Sequence, residues 1–313
     1  MILAAGFGTR LRPITERIPK PLVPVVGRPN ISRTIEQLGR LGIRELAINL
    51  HHLPDAIRAA LGDGSDLGAK IAYSEERPEI LGTGGGIRRA LPLLGDGTFA
   101  VVNGDALFAP DLESALAAHR RSGALATLVV REDPCAEELG AVHADESGRV
   151  RRIAGRGADR AGLRPFMFTG VHIVEPEIGE HLPRKGCVVR DSYIPLLESG
   201  ARIGAWIDTG FFCDLGTCGR YLAANVDLVT GAARIAGFTA PDDGVLVAAD
   251  ARVDPRAELG AGAVVESGAE LAAGARVERA VVLPGAAVRG ELEDAIACPN
   301  GEIIRPASAV NEL

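Results

Sequence analysis

The chain has 313 residues, enough for about two domains at roughly 100–200 residues each. Its 47% hydrophobic and 24% charged content, with mean hydropathy +0.14, excludes a disordered chain, and the net charge of −7 argues against nucleic acid as main partner. No apolar run reaches the roughly 18–20 residues of a membrane span, no basic-then-apolar leader opens the chain, and five widely spaced cysteines predict reduced thiols in a cytoplasm.

The charge is unevenly spread. Residues 1–40 carry seven basic side chains (Arg10, Arg12, Arg17, Lys20, Arg28, Arg33 and Arg40) against Glu16 and Glu36, a local +5, so the other 273 residues carry −12. A cationic N-terminal segment on an acidic protein predicts a small anionic ligand.

In chain order, strands are predicted at Ile2–Ala4, Glu45–Leu50, Lys70–Ser74, Phe99–Asn103, Ala126–Arg131, Ala141–Ala144, Phe166–Val174 and Arg202–Ile207. Amphipathic helices are predicted at Ile31–Leu41, Pro54–Leu61, Gly86–Leu94, Leu112–Arg121, Val188–Glu198 and Cys218–Leu228. This alternation predicts an α/β catalytic domain over residues 1–230: a Rossmann-like, mostly parallel sheet with helices on both faces and ligands at the carboxyl ends of the strands. Residues 231–243, rich in Gly, Pro and Asp, read as a linker.

Beyond it the period changes. Val247, Val253, Leu259, Val265, Leu271, Val277 and Leu283 recur every six residues, with alanine two before most of them at 251, 257, 263, 269 and 275. A period of six predicts a short left-handed parallel β-helix of just over two coils in residues 244–313, with a C-terminal tail. Such a stack commonly serves assembly, so a homo-oligomer through this domain is expected. All six histidines lie before residue 182, which argues against chemistry in the coils.

The strongest motif is Leu3–Leu22, LAAGFGTRLRPITERIPKPL. A hydrophobic start leads into Gly6 and Gly8, whose backbone N–H groups suit polyphosphate oxygens. The third glycine of a dinucleotide fingerprint and the Gly-Lys-Ser/Thr of a Walker loop are both missing. Arg10 follows, and Lys20 stands between Pro19 and Pro21 on a stiff backbone.

Asp105 ends the hydrophobic strand at Phe99–Asn103, and Asp214 opens a turn into a helix. Two hard carboxylate ligands from distant segments suit Mg²⁺, with phosphate oxygens and waters completing its shell. Asp208, in Trp206-Ile-Asp-Thr-Gly210, competes as the second ligand. Cys213 and Cys218 lack a second Cys/His pair and read as small buried residues, not zinc ligands. His51-His52 reads as structural or solvated.

Through these residues the chain resembles the sugar-1-phosphate nucleotidylyltransferases over about residues 1–230. The likeness continues in Leu81-Gly-Thr-Gly-Gly-Gly86 before a helix, Val101-Val-Asn-Gly-Asp105, and Asp214-Leu-Gly-Thr217 followed by Arg220-Tyr-Leu-Ala-Ala-Asn225. The resemblance implies that Leu3, Ala5, Gly6, Gly8, Thr9, Glu76, Gly82 and Thr83 bind the nucleotide. Arg10 and Lys20 are the implied catalytic cations, and Asp105 and Asp214 the implied Mg²⁺ ligands, with Asp214 preferred to Asp208 for its fuller motif. Asn103, Gly140, Thr169 and Gly170 lie where the family meets the sugar phosphate. Arg156 stands where relatives carry a Glu-Lys-Pro lysine. Glu76 reads either as a base contact or as an exposed acidic turn.

The implied activity joins a nucleoside triphosphate and a sugar 1-phosphate into a nucleotide sugar and pyrophosphate. The β-helix leans the expectation towards GTP and mannose 1-phosphate. A uridylyltransferase of the N-acetylmuramate-1-phosphate type and a silent nucleotide-sugar-binding homologue are the alternatives.

Overall fold

The apolar runs Ile2–Leu3, Glu45–Leu50 and Phe99–Asn103 become adjacent parallel strands, with Ile2 paired to Ile48 on one side and Val102 on the other. The computed structural model describes residues 1–306. It divides into two compact units built from alternating segments. Met1–Gly6, Leu38–Gly104 and Pro110–Gly210 form the first; Phe7–Gln37, Asp105–Ala109 and the chain from Phe211 onward form the second.

The first unit is mixed α/β. Its central sheet runs in the order Lys70–Glu75, Glu45–Leu50, Ile2–Leu3, Phe99–Asn103, Arg164–Val174, Ala126–Arg131 and Ile203–Ile207. Only Arg164–Val174 opposes its neighbours, so the sheet is mostly parallel. Residues 46–50 and 126–130 are buried without alternation, the pattern of strands covered on both faces. Val142–Ala144, Val150–Ile153 and Arg156–Gly157 extend the unit as antiparallel strands. The last two escape sequence reading because Arg151, Arg152, Arg156 and Gly157 carry no apolar alternation.

The glycine run predicted to lie ahead of a helix is itself helical: the helix spans Gly82–Ala90 and begins four residues before the predicted start. Close packing explains the composition. A Cβ on Gly84 would lie 2.8 Å from the Pro183 ring, and one on Gly85 would lie 2.6 Å from the Arg184 carbonyl.

In the second unit, a hairpin pairs Pro24–Val25 with Arg28–Pro29, and Ala106–Phe108 pairs antiparallel with Phe212–Asp214. Helix Cys218–Val229 follows Thr217, whose hydroxyl accepts the Arg220 N–H as an N-cap. Residues 231–243 are anchored: Ala233, Ile235 and Phe238 pack on the unit's core, with the Arg33 guanidinium 5.7 Å above the Phe238 ring centre.

From Leu246 the chain makes short strands that pair in parallel with the strand one coil later. Leu246, Arg252 and Glu258 face Val264, Glu270 and Arg276, each 18 residues on. The unbroken six-residue period expected through Leu283 is corrected after Val277. Val282, not Leu283, sits beside Val265, because the intervening coil is one residue shorter and turns through Arg279 in the left-handed region (φ 43°). The ladders then continue through Val288 and Leu292 to Ile296. Small and branched side chains alternate inside, from Ala263 and Val265 to Ala280 and Val282.

One core of this unit unites Leu11, Val25, Tyr221 and Leu228 with Val264, Val281 and Ile296 from the coils. Each of those three coil residues is worth about 1.5–3 kcal/mol of burial, a large part of the 5–15 kcal/mol that holds a typical domain together. A chain ended after Gly231 is therefore expected to lose cooperative thermal unfolding and to bind a hydrophobic dye. A sharp transition within a few degrees of the full chain's would refute this.

Candidate active site

The second unit gathers charged groups at the start of its chain. Gly8 has φ 62°, and a Cβ there would lie 2.8 Å from Thr15 Cγ2 and 3.1 Å from Lys20 Cβ, so both conformation and space call for glycine. Thr15 Oγ1 donates to the Gly8 carbonyl at 2.8 Å, closing the loop. Thr9 and Arg10 follow in a 3₁₀ turn, exposed. Lys20 opens another such turn, is 8% exposed, and its Nζ donates to Asp105 Oδ2 at 2.7 Å.

The antiparallel pair Ala106–Phe108/Phe212–Asp214 sets Asp214 directly opposite Ala106. Asp105 immediately precedes Ala106, so the backbones of two aspartates that stand 109 positions apart in sequence come within one residue of each other at the end of this strand pair. Arg220 Nη1 holds Asp214 Oδ2 at 2.9 Å. The Asp105 and Asp214 side chains are 36% and 31% exposed, so solvent reaches both. Gly216 lies between Asp214 and Arg10: a Cβ there would be 2.8 Å from Asp214 Oδ2 and 2.9 Å from Arg10 Nη2. Each aspartate is an accessible hard-oxygen donor steadied by a cation, a chemistry that fits Mg²⁺. Among the described residues no cluster of three or more His, Cys, Asp or Glu is placed to hold a metal, so phosphate oxygens and waters would complete the shell.

The first unit carries the other candidates. Glu76 is fully buried, which rules out the exposed-turn alternative. Its Oε1 accepts from Asn49 Nδ2 and its Oε2 from the Leu81 N–H, both at 2.6 Å, while Asn49 Oδ1 accepts from Ala4 N–H at 2.7 Å. Glu76 thus ties Ala4, beside Leu3 and Ala5, to the glycine helix that begins at Gly82. A Cβ on Gly86 would sit 2.6 Å from the same carboxylate. Gly82 has φ 73° and backs onto the Gly186 carbonyl, and Thr83 Oγ1 accepts from Val188 N–H at 2.9 Å.

Gly170 (φ 79°) leaves room for the Asn103 carboxamide, and Thr169 Oγ1 donates to the Val129 carbonyl at 2.7 Å. Gly6 is open to at least 4 Å at its Cβ position. Gly140 (φ 84°) faces Ala154, and exposed Arg156 pairs with Glu198 at 2.8 Å. Asp208 is 8% exposed, with one oxygen accepting the Asp111 N–H at 3.0 Å and the other the Gly210 N–H at 2.9 Å. That commits its carboxylate to the backbone.

Sequence reading singled out neither Asn49, Arg220 nor Gly216 as individual site residues. The Asp214–Thr217 and Arg220–Asn225 motifs contained the last two, but their contacts emerge only with the fold. Asn49 ends an apolar strand with no local signal.

The chain belongs to the nucleotidyl transferase family, whose model matches residues 1–231. Within it the chain groups with the sugar-1-phosphate nucleotidylyltransferases. It is 33% identical over 292 residues to a mannose-1-phosphate guanylyltransferase of Mycobacterium tuberculosis, covering 92% of this chain and 80% of that one. It is 39% identical over 223 residues to an N-acetylmuramate alpha-1-phosphate uridylyltransferase of Neisseria meningitidis, covering 69% and 94%. A UTP–glucose-1-phosphate uridylyltransferase of Synechocystis is 34% identical over 230 residues, 67% of this chain, and the chain spans only 59% of that protein's length.

The contacts at Gly216 give a direct test. In Gly216→Ala the flexible end of Arg10 and the Asp214 carboxylate must move apart while the backbone stays put. Turnover is expected to fall about tenfold with the melting temperature within a degree or two of wild type. Unchanged turnover would show that this arrangement is not used.

Proposed function

We propose that this protein transfers a nucleoside monophosphate from a nucleoside triphosphate to a sugar 1-phosphate. An anionic oxygen of the sugar phosphate attacks the α-phosphorus in line. The bond from that phosphorus to the bridging oxygen breaks, and pyrophosphate leaves with the electron pair. The attacking phosphate is already charged at neutral pH, so no covalent nucleophile is needed. The protein's task is to orient two polyanions and offset their repulsion.

In this reading the Gly6–Thr9 backbone cradles the triphosphate, with Leu3, Ala5, Glu76, Gly82 and Thr83 forming the nucleotide side. Arg10 stabilises the departing pyrophosphate, and Lys20 bridges phosphates at the reacting centre. Asn103, Gly140, Arg156, Thr169 and Gly170 form the sugar-phosphate side. Asp105 and Asp214 would hold Mg²⁺, which supplies charge neutralisation at the α-phosphate. The observation that supports the reading is the strand pair that sets Asp214 opposite Ala106, the residue after Asp105, with Lys20 on Asp105 and Arg220 on Asp214.

For the particular substrates we favour GTP and mannose 1-phosphate. The relative that matches 92% of this chain, coils included, is a mannose-1-phosphate guanylyltransferase. The 39% identity to an N-acetylmuramate alpha-1-phosphate uridylyltransferase supports a UDP-sugar product as the second reading. We read residues 1–230 as the catalytic domain, 231–243 as its linker and 244–313 as a left-handed β-helix and tail that carries self-association. The parallel ladders support this part of the reading; residues 307–313 lie outside the described residues. No helix among the described residues is long and apolar enough to cross a membrane. None of the five cysteines is in a disulfide, and we read the chain as cytoplasmic.

Pyrophosphate release across GTP, UTP, dTTP, CTP and ATP against mannose, glucose and aminosugar 1-phosphates tests the reading. Release is expected with GTP and mannose 1-phosphate above all others, and chelation of divalent cations should abolish it. Silence across the whole panel would reject the activity. Lys20→Ala is expected to lower turnover by ~10²-fold or more. Its partner Asp105 is partly solvated, so the variant should fold; wild-type turnover would reject Lys20's role.

A further inference from the structure

The loop that carries Lys20 runs directly into a strained turn. Val23 N–H closes the Lys20 turn at 3.2 Å, and Asn30 N–H returns to the Val23 carbonyl at 3.2 Å. Between them lies the Pro24–Pro29 hairpin, whose two turn residues, Val26 (φ 41°) and Gly27 (φ 82°), are both left-handed. A β-branched residue in that region is costly and persists only where its surroundings dictate it.

The surroundings here are side chains that take up the turn's backbone groups one by one. Tyr221 Oη donates to the Pro24 carbonyl at 2.7 Å, and Arg33 donates to the Val25 and Val26 carbonyls at 2.8 and 2.9 Å. Asn225 Oδ1 accepts the Val26 N–H at 2.8 Å, and Glu266 Oε1 accepts the Gly27 N–H at 3.0 Å. Three of these four residues come from helices of the family-matched segment, while Glu266 comes from the coils, 239 residues away.

Glu266 is 2% exposed, and burial raises its carboxyl above the ordinary range, against the pull of Gly27 N–H and the Arg33 charge. The register through Val247, Val265 and Val282 puts Ala248 and Leu283 at the equivalent places on the flanking coils, so packing alone would accept an apolar residue there. A buried carboxylate where neighbours are apolar is poor packing, and its direct hydrogen bond goes to the catalytic hairpin.

We propose that Glu266 is a positioning residue for the reaction: by fixing the Gly27 end of the hairpin it holds the Lys20 turn in register with Asp105. The inference rests on the activity proposed above. Through this contact the coils do more than stack; they complete the frame of the phosphate loop.

The test pairs Glu266→Met, which removes the acceptor while filling the space, with Glu266→Gln, which keeps an acceptor oxygen. The Met variant should fold and melt only a few degrees below wild type, since it leaves the Gly27 N–H without its acceptor but fills the space. Its kcat should nevertheless fall about fivefold to tenfold, with KM for both substrates within twofold. Hydrogen exchange in the peptide spanning Pro24–Pro29 should accelerate. The Gln variant should restore kcat to within twofold and restore the exchange protection. Wild-type kcat in the Met variant, equal loss in both variants, or failure of the Met variant to fold would each overturn the proposal. Wild-type protein silent on the whole substrate panel would instead overturn the activity on which it rests.

Discussion

Two strands of three residues determine the chemistry available to this molecule. Because Ala106–Phe108 runs antiparallel to Phe212–Asp214, the backbones of Asp105 and Asp214 lie within one residue of each other across the strand pair although 109 residues separate them. Lys20 pairs with Asp105 and Arg220 with Asp214, so each carboxylate is compensated by a cation before any ligand arrives. Each carboxylate also remains about one third exposed, a compromise between being held and being reachable.

Much of the second unit serves to keep that ladder and the Lys20 loop in place. From the helix after Asp214, Tyr221 and Asn225 reach the Pro24–Pro29 hairpin while Arg220 turns back to Asp214, so this segment links the aspartate to the hairpin. Arg220 faces the carboxylate; Tyr221 and Asn225 face the hairpin. The coils contribute Val264, Val281 and Ile296 to the same core, and Glu266 to the same turn. A segment whose own period suggests an independent stack is thus structurally part of the unit that carries Lys20.

What could be read from sequence divides along the range of the interactions concerned. Glu45–Leu50, Phe99–Asn103, Ala126–Arg131 and Pro54–Leu61 stand where their hydrophobic patterns place them, since periodicity is local. The glycine run misled because glycine in sequence signals a turn, whereas Gly84, Gly85 and Gly86 let Pro183, Arg184 and Glu76 approach a helix. That reason is tertiary. Asn49 is the same case in reverse: nothing nearby marks it, yet with Glu76 it fastens Ala4 to Leu81. The six-residue period failed by one residue after Val277, because shortening a turn leaves the aliphatic composition intact while moving the strand by one place.

The charge surplus of residues 1–40 changes meaning once its partners are known. Counted in sequence, it is +5. In the fold Arg28 is taken by Glu36, Arg33 by the Val25 and Val26 carbonyls, and Lys20 by Asp105, so three of the seven cations hold the protein together. Arg10, Arg12 and Arg17 remain exposed in the second unit. The field that an incoming polyanion meets is therefore smaller than the sequence suggests and is concentrated by position. Arg10 lies against Gly216 beside the Asp214 carboxylate, and Lys20 lies against Asp105. In the activity proposed above, a phosphate binding there would compete with groups already held by carboxylates, so its affinity would depend on how well the frame fixes those groups more than on the net charge around them.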